Sequence, residues 1–173
     1  MKQNIRTLTL LIITILFFSS CAQKENSNIE IIINTSPQKI EVLNAILKFH
    51  NGMRQKNGKL AISAWEKTAA GYSISIDSLG KAVKSIENPV NEDSLENINK
   101  WLNETEDYLD EEIFDVQINI DGELAMAWVP YNFYKNKKFS HSGTNAFTLM
   151  KFGKDWKIIS VADTRYFGKK IHQ

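Results

Sequence analysis

Residues 113–166 read IFDVQINIDGELAMAWVPYNFYKNKKFSHSGTNAFTLMKFGKDWKIISVADTRY. Four apolar-rich runs are separated by the dipeptide Asp121-Gly122, by the lysine-rich residues 135–138 and by residues 153–155. Alternation of apolar and polar residues with turn residues between the runs predicts consecutive antiparallel strands, near 113–120, 123–135, 138–152 and 156–166. An Asp-Gly pair favours a tight hairpin, because both central residues of such a turn need positive φ. A sheet of this kind needs a covering layer from the residues that precede it.

The first 21 residues, MKQNIRTLTLLIITILFFSSC, have the layout of an export signal. Lys2 and Arg6 precede an apolar run, 8–18, that is shorter than the roughly 20 residues of a membrane-spanning helix. The end of the run, FSSC, resembles a bacterial lipobox. The resemblance implies that Cys21 is lipidated and becomes the mature N-terminus. It also implies a cell envelope protein that is anchored on the periplasmic or surface side of the outer membrane. The alternative is a free Cys21 thiol in an uncleaved anchor.

Composition narrows the class of protein. The chain has 21 basic and 20 acidic residues, and this near-neutral balance argues against nucleic acid as a main partner. The acidic run 104–112 is predicted to be solvated surface. His50, His141 and His172 have no zinc-site spacing, and no nucleotide or cofactor motif is present, so we expect neither a metal nor a cofactor. With Cys21 as the one cysteine, folding depends on a packed core.

The chain order predicts one α+β domain. We divide the sequence into a signal peptide, 1–20, a tether, 21–35, a single domain, 36–168, and a tail, 169–173. Ser36 and Pro37 form the start of a helix with an apolar stripe over 40–53. Leu60, Ile62 and Trp65 suggest a short second helix. A strand at 71–76 with a return at 82–86 precedes a third helix at 92–103.

The helices and the strands together resemble the NTF2-like superfamily, also called SnoaL-like or cystatin-like α+β, and within it the lumazine-binding-like or DUF4440-like branch. The matching residues are the opening helix and the segments INIDGELA at 118–125, WVPYNFY at 128–134, HSG at 141–143, FTL at 147–149 and WKI at 156–158. The resemblance implies a cone, in which a strongly bent antiparallel sheet curls around a pocket and about three N-terminal helices pack on its concave side. Members include isomerases, dehydratases and binding modules, so fold alone does not give a function. No catalytic set of the superfamily matches this sequence.

Alternation along the strands gives candidate site residues. It puts Phe139, His141, Asn145, Phe147 and Leu149 on one face of the third long strand, and Ile159, Val161, Asp163 and Arg165 on one face of the fourth. His141 and Asp163 are candidates for a catalytic acid and base, because histidine titrates near neutral pH. The predicted ligand-binding residues are Tyr131, Phe133, His141, Asn145, Phe147 and Arg165. The alternatives are a hydrogen-bonded sheet histidine, aromatic residues in the core and a simple ion pair between Asp163 and Arg165.

Three functional hypotheses follow. The first is a lipid-anchored domain that binds a small apolar molecule in its cone pocket without catalysis. The second is an enzyme of the isomerase or dehydratase type that uses His141 and Asp163. The third is an interaction module in which the open convex face of the sheet pairs two copies of the chain.

Overall fold

The structure is a computed structural model that describes residues 36–77, 79–83, 87–89 and 92–170. The predicted signal peptide, the lipidation site Cys21 and the tether lie outside these residues. In the described part of the chain, no helix has the length and the apolar character needed to cross a membrane.

Three helices precede or interrupt the sheet. Helix α1 spans Pro37–Arg54, and the predicted N-cap is confirmed, because the Ser36 side chain accepts a hydrogen bond from the Lys39 N–H. Helix α2 spans only Gly58–Ile62. Helix α3 spans Glu92–Glu104 and confirms the third predicted helix. The prediction that Trp65 continues α2 is wrong, because Trp65 begins a strand and pairs with Ile158.

Eight strands form one sheet in the described residues: β1 Trp65–Ile76, β2 Ala82–Val83, β3 Glu87–Pro89, β4 Leu109–Ile113, β5 Gln117–Asp121, β6 Leu124–Lys135, β7 Lys138–Phe152 and β8 Asp155–Phe167. The order is β2-β1-β8-β7-β6-β4, with β3 paired to β1 and β5 paired to β6. The sheet is curved and unclosed. It is mixed rather than wholly antiparallel, because β1 and β8 are parallel. A helix and six strands separate these two in sequence, which leaves room for the crossover that a parallel pair needs.

The predicted first long strand, 113–120, is in fact two strands, β4 and β5, which both pair with β6. The chain leaves the ladder between them at Phe114, Asp115 and Val116, and Asp115 has a φ of 38°. The Phe114 N–H donates to the carbonyl oxygen of Pro130 at 2.9 Å. Pro130 has no N–H to return a bond, so the ladder weakens at this point.

Two β-bulges change the predicted strand faces. One lies between Phe133 and Tyr134, and it pairs Phe139 with Tyr134, on the sheet face opposite to His141. The other pairs Leu149 with Ile158, which is 0% exposed, and Phe147 with Val161, so Ile158 shares the face of Val161. The predicted groupings of Phe139 with His141 and of Ile159 with Val161 are therefore wrong.

The core lies between the inner face of the sheet and α1. Its buried members come from α1, from the start of β1, from α3 and from the inward positions of β5 to β8: Val42, Ala45, Ile46, Ala64, Trp65, Ala69, Leu95, Ile118, Ala125, Ala127, Val129, Phe147, Leu149, Trp156 and Ile158. This packing fixes α1 along the curved sheet and leaves a groove beside the strand edge formed by β4 and β5.

Candidate functional site

A groove of about 960 Å³ opens between α1 and the β4–β5 edge. Helix α1 lines it with side chains at helical spacing: Lys39, Leu43, Leu47, His50 and Arg54. Residues 110–119 line the opposite wall. Its apolar lining includes Leu43 and Leu47 on the α1 wall and Ile113 and Val116 on the opposite wall. Charged residues line it as well: Lys39, Arg54, Asp110, Glu112, Asp115 and Lys137.

Two buried titratable side chains, His50 and Glu111, form the groove floor. They are 2% and 9% exposed. The His50 Nε2 lies 3.3 Å from the Glu111 Oε1. The contact lacks hydrogen-bond geometry, and neither ring nitrogen of His50 has a hydrogen-bond partner among the described residues. Buried polar atoms are nearly always satisfied, so the His50 nitrogens suggest a group that binds from the groove.

The groove floor is held neutral near pH 7. Burial raises the pKa of Glu111 to about 8, which outweighs the lowering effect of a hydrogen bond from Asn145. Burial also lowers the pKa of His50 to about 4, and the charge of Arg54 adds to this effect. The short distance alone would suggest an ion pair. We favour the neutral forms, because both groups are desolvated and no aligned hydrogen bond stabilises their charges.

Asn145 and Arg54 position the groove floor. The Asn145 Nδ2 donates to the Glu111 Oε1 at 2.6 Å, and this bond connects β7 to β4. The Arg54 guanidinium bonds Asp110 at 2.7 Å and lies 3.5 Å from the Glu111 carbonyl oxygen, so it connects α1 to β4 beside the floor. It also contacts the Asn51 side-chain oxygen at 3.1 Å. A protonated Glu111 beside a neutral His50 can donate to, or accept from, a polar group of a bound molecule.

A second polar cluster lies on β1, β6 and β8, around Asp163. Its carboxylate accepts hydrogen bonds from Ser73, from Arg165 at 2.7 Å and from the Tyr131 hydroxyl at 3.3 Å. Arg165 also donates to the Ser73 hydroxyl at 2.8 Å. Burial and the neighbouring carboxylates raise the pKa of the Tyr131 hydroxyl, so it stays protonated. The cluster is internally satisfied, which is typical of a structural network.

Tyr131 reaches this cluster because Gly143 lies beneath it. The Tyr131 hydroxyl donates to the Thr164 carbonyl oxygen at 2.9 Å. A Cβ added at Gly143 would lie 1.7 Å from that carbonyl oxygen and 3.0 Å from the Tyr131 hydroxyl oxygen. The close approach of β7 and β8 at this point therefore requires glycine.

His141 lies among aromatic rings. Its ring stacks on Phe133 with centroids 4.9 Å apart and contacts Phe167 at 5.1 Å and Tyr131 at 5.7 Å. Burial, followed by the charge of Arg165, lowers the pKa of His141 to about 4. No hydrogen bond joins its ring to Asp163 within the described residues. The acid–base role of these two residues stays a prediction.

The predicted ligand-binding residues do not line the groove. Phe147 is a core residue, with its ring centroid 6.3 Å from that of His50. Asn145 reaches the groove floor through Glu111, and Arg165 lies in the Asp163 cluster. Their predicted ligand contacts stay a prediction.

Sequence reasoning missed the groove floor. Glu111 lies in the acidic run predicted to be solvated surface, and for this residue that prediction is wrong. The alternation of Leu109, Glu111 and Ile113 is the signal that places Glu111 on an inward face. His50 continues the apolar stripe of α1 four residues after Ile46, which is the signal for its burial. In the described residues, no cluster of histidine, cysteine or carboxylate side chains could hold a metal ion.

No protein-family model matches the chain, and no curated protein matches it. Solved structures do. An NTF2-like protein of unknown function from Pseudomonas putida aligns with a TM-score of 0.61 and 10% identity, covering 77% of this chain and 96% of that one. The beta subunit of a candidate aromatic-ring-hydroxylating dioxygenase from Novosphingobium aromaticivorans gives a TM-score of 0.60 and 10% identity, with coverages of 76% and 91%. A candidate dehydratase of the NTF2-like family from Streptomyces avermitilis gives 0.58 and 13%, with coverages of 75% and 98%.

The chain therefore has the NTF2-like, cystatin-like α+β fold, and this confirms the fold expected from the sequence. At these identities the likeness concerns the fold alone. The neighbours include proteins named as enzymes and proteins of unknown function, so function must be argued from the groove.

Proposed function

We propose that the groove between α1 and β4–β5 binds a small, mostly apolar molecule without catalysis. One observation carries this proposal: the ring nitrogens of His50 are buried at the groove floor and have no hydrogen-bond partner in the described structure. Leaving such nitrogens unpaired costs on the order of 1–3 kcal/mol, which a ligand with one polar group would recover. Glu111, beside His50, supplies a second hydrogen-bonding group.

The walls support an apolar ligand. Leu43 and Leu47 on α1 and Ile113 and Val116 on the other wall line the groove, and its volume of about 960 Å³ is in the range of small-molecule sites. The charged lining residues other than Glu111 balance, with three basic and three acidic side chains, and Arg54 is already paired with Asp110. A neutral body with one hydrogen-bonding group fits this arrangement best.

A fluorescence titration tests the proposal with N-phenyl-1-naphthylamine, a neutral apolar probe. We expect saturable binding of one probe per chain. Leu47→Trp puts an indole into the groove and should weaken binding at least tenfold. Lys48→Trp is the matched control, because Lys48 is exposed and lies outside the groove lining. Equal probe affinity in the two variants would refute the site.

The second candidate is an acid–base enzyme of the isomerase or dehydratase type. A buried carboxyl with a raised pKa beside a neutral imidazole favours it, because functional sites often keep such groups poised near neutral pH. On a substrate of the class found bound, Glu111→Gln should lower turnover at least 100-fold and leave binding intact. His141→Ala and Asp163→Asn test the acid–base pair predicted from the sequence. Full activity in both would remove that assignment.

A homodimer is compatible with either function. Trp128 is 54% exposed and Met126 is 61% exposed, on the sheet face that points away from α1. Their neighbours across the strands, Ala146 and Thr148, are uncharged. An uncharged face with an exposed tryptophan is typical of an interface.

We also propose that the domain is held at the bacterial cell envelope by lipid on Cys21. The support is the sequence FSSC after an apolar run, 8–18, which resembles a lipobox. Two or more acyl chains would give stable anchoring. Metabolic labelling with an azido fatty acid, compared between the wild type and Cys21→Ser, tests this.

A further inference from the structure

The wall of the groove opposite α1 is a strand edge and not a strand face. Residues 110–119 line the groove without interruption. A strand that turns one face to a cavity contributes every second side chain. Consecutive lining residues therefore mean that the groove follows the backbone of the β4–β5 edge.

Hydrogen bonds fix which backbone groups of β4 point toward β6. The Phe114 N–H donates to the Pro130 oxygen at 2.9 Å, and the Asn136 N–H donates to the Tyr108 oxygen at 2.7 Å. Both bonds use even-numbered residues on the β4 side. Successive residues of a strand direct their N–H and C=O groups to opposite sides, so the odd-numbered residues point away from β6.

The odd-numbered residues of β4 thus present their backbone groups to the groove. They are Leu109, Glu111 and Ile113. Among the described residues outside the sheet, one group bonds these backbone atoms: the Arg54 Nη2 lies 3.5 Å from the Glu111 carbonyl oxygen. An edge of this kind can accept a further strand by backbone hydrogen bonding.

The dimensions of the groove match one strand. The α1 stripe from Lys39 to Arg54 spans 15 residue steps, or about 22 Å at 1.5 Å per residue. Seven extended residues span six steps, or about 20 Å at 3.3 Å per residue.

We propose that the occupant is a segment of the same chain, NIEIIIN at residues 28–34, which binds the β4–β5 edge in extended form. These residues lie outside the described part of the chain. The run ends two residues before the helix cap Ser36, which lies at the Lys39 end of the groove, and its seven residues match the groove in length. Ile29, Ile31 and Ile33 alternate with Glu30 and Ile32, so these three isoleucines can face α1 while Glu30 and Ile32 face the other way.

The direction of the chain also fits. Arg54, at the end of α1, contacts Asp110 at the start of β4. Glu41, near the start of α1, bonds Lys151, whose N–H donates to the Glu123 oxygen just after β5, so α1 and the β4–β5 edge run in opposite directions. A segment that reaches Ser36 from the Arg54 end would run parallel to the edge.

This inference rests on the groove of the proposed function and adds a regulation of it. The segment and the small molecule would contact the same residues, including Leu47 and Glu111, so binding of one would exclude the other. The affinity of the site for its ligand would then depend on the residues that join the domain to its N-terminus.

Hydrogen–deuterium exchange tests the proposal on the protein purified in mild detergent after full-length expression and then freed of co-purified small molecules by exhaustive dialysis. The wild type should protect the amides of Leu109, Glu111 and Ile113, which point away from β6. Ile31→Asp should speed their exchange at least tenfold. Ile32→Asp is the matched control, because it puts the same charge on the opposite face of the segment. It should exchange as the wild type does.

Equal exchange at 109–113 in the wild type and both variants would overturn the proposal, and so would equal acceleration by both variants. The experiment contains no added ligand. If Ile31→Asp and Ile32→Asp exchange alike while the probe still binds to the groove, the segment proposal is therefore refuted and the ligand site is not. If Leu47→Trp and Lys48→Trp weaken probe binding equally, while Ile31→Asp still exchanges faster than Ile32→Asp, the ligand site is refuted and the segment proposal is not.

Discussion

Glu111→Gln should change how the stability of the protein depends on pH. The pKa of Glu111 is raised from 4.5 to about 8, so between these values the folded protein holds a proton that the unfolded chain has lost. This contribution to stability is complete below pH 4.5 and is lost as the pH rises toward 8. His50 and His141 act in the opposite sense. Their pKa values are lowered from 6.5 to about 4, so the unfolded chain binds their protons first as the pH falls below 6.5.

The magnitudes follow from about 1.4 kcal/mol per proton and pH unit. Between pH 4.5 and 6.5 the two histidines outweigh Glu111, so the free energy of unfolding rises with pH by about 1.4 kcal/mol per unit. Between pH 6.5 and 8 Glu111 acts alone, and the free energy of unfolding falls by about 2 kcal/mol. Stability therefore peaks near pH 6.5.

Urea unfolding at pH 6.5 and 8 measures this fall. The wild type should lose about 2 kcal/mol, and Glu111→Gln should lose almost none, because glutamine does not titrate. Glu112→Gln is the matched control. The Glu112 carboxyl is adjacent in sequence but exposed, so this variant should behave as the wild type does. A fall of the same size in Glu111→Gln and in the wild type would show that the buried carboxyl is not protonated near pH 7.

Two further predictions concern packing and association. Gly143→Ala should destabilise the fold by about 2–4 kcal/mol in urea unfolding, because its Cβ meets the Thr164 carbonyl oxygen. Gly153→Ala, whose Cβ meets nothing within 4 Å but whose φ is 64°, should cost only about 1 kcal/mol, and equal losses would contradict the close approach. Light scattering at tens of micromolar should show a dimer for the wild type and a monomer for Trp128→Glu. Leu79→Glu, away from that face, should leave it dimeric, and a monomeric wild type would count against the dimer.

The fold was readable from the sequence where local signals agreed with tertiary contacts. Ser36 and Pro37 marked the start of α1. Asp121 and Gly122 marked the break between β5 and β6, but the turn itself is formed by Gly122 and Glu123: Asp121 ends β5, and of the predicted pair Gly122 alone has a positive φ. Strand register was less readable. A bulge inserts one residue and turns the following side chains to the other face, and no local signal marked the one that moved Phe139 away from His141.

The groove floor was harder to predict, because it depends on contacts between distant parts of the chain. Glu111 is buried only because α1 covers it and Asn145, 34 residues later, bonds its carboxyl. In the sequence, Glu111 lies between acidic residues, and an acidic run of this kind indicates a solvated surface. Among the described residues, the ring nitrogens of His50 have no partner, because β4 brings no aligned group to them. Neither fact follows from the periodicity of α1 or β4 alone.

Native mass spectrometry of the protein, purified without added ligand, tests the central claim most directly. We predict one bound small molecule per chain in the wild type and in Lys48→Trp, and none in Leu47→Trp. The mass would give the chemical class of the ligand. A wild-type protein that stays empty, both as purified and after incubation with a small-molecule extract of the expression host, would contradict the assignment of the groove as a binding site.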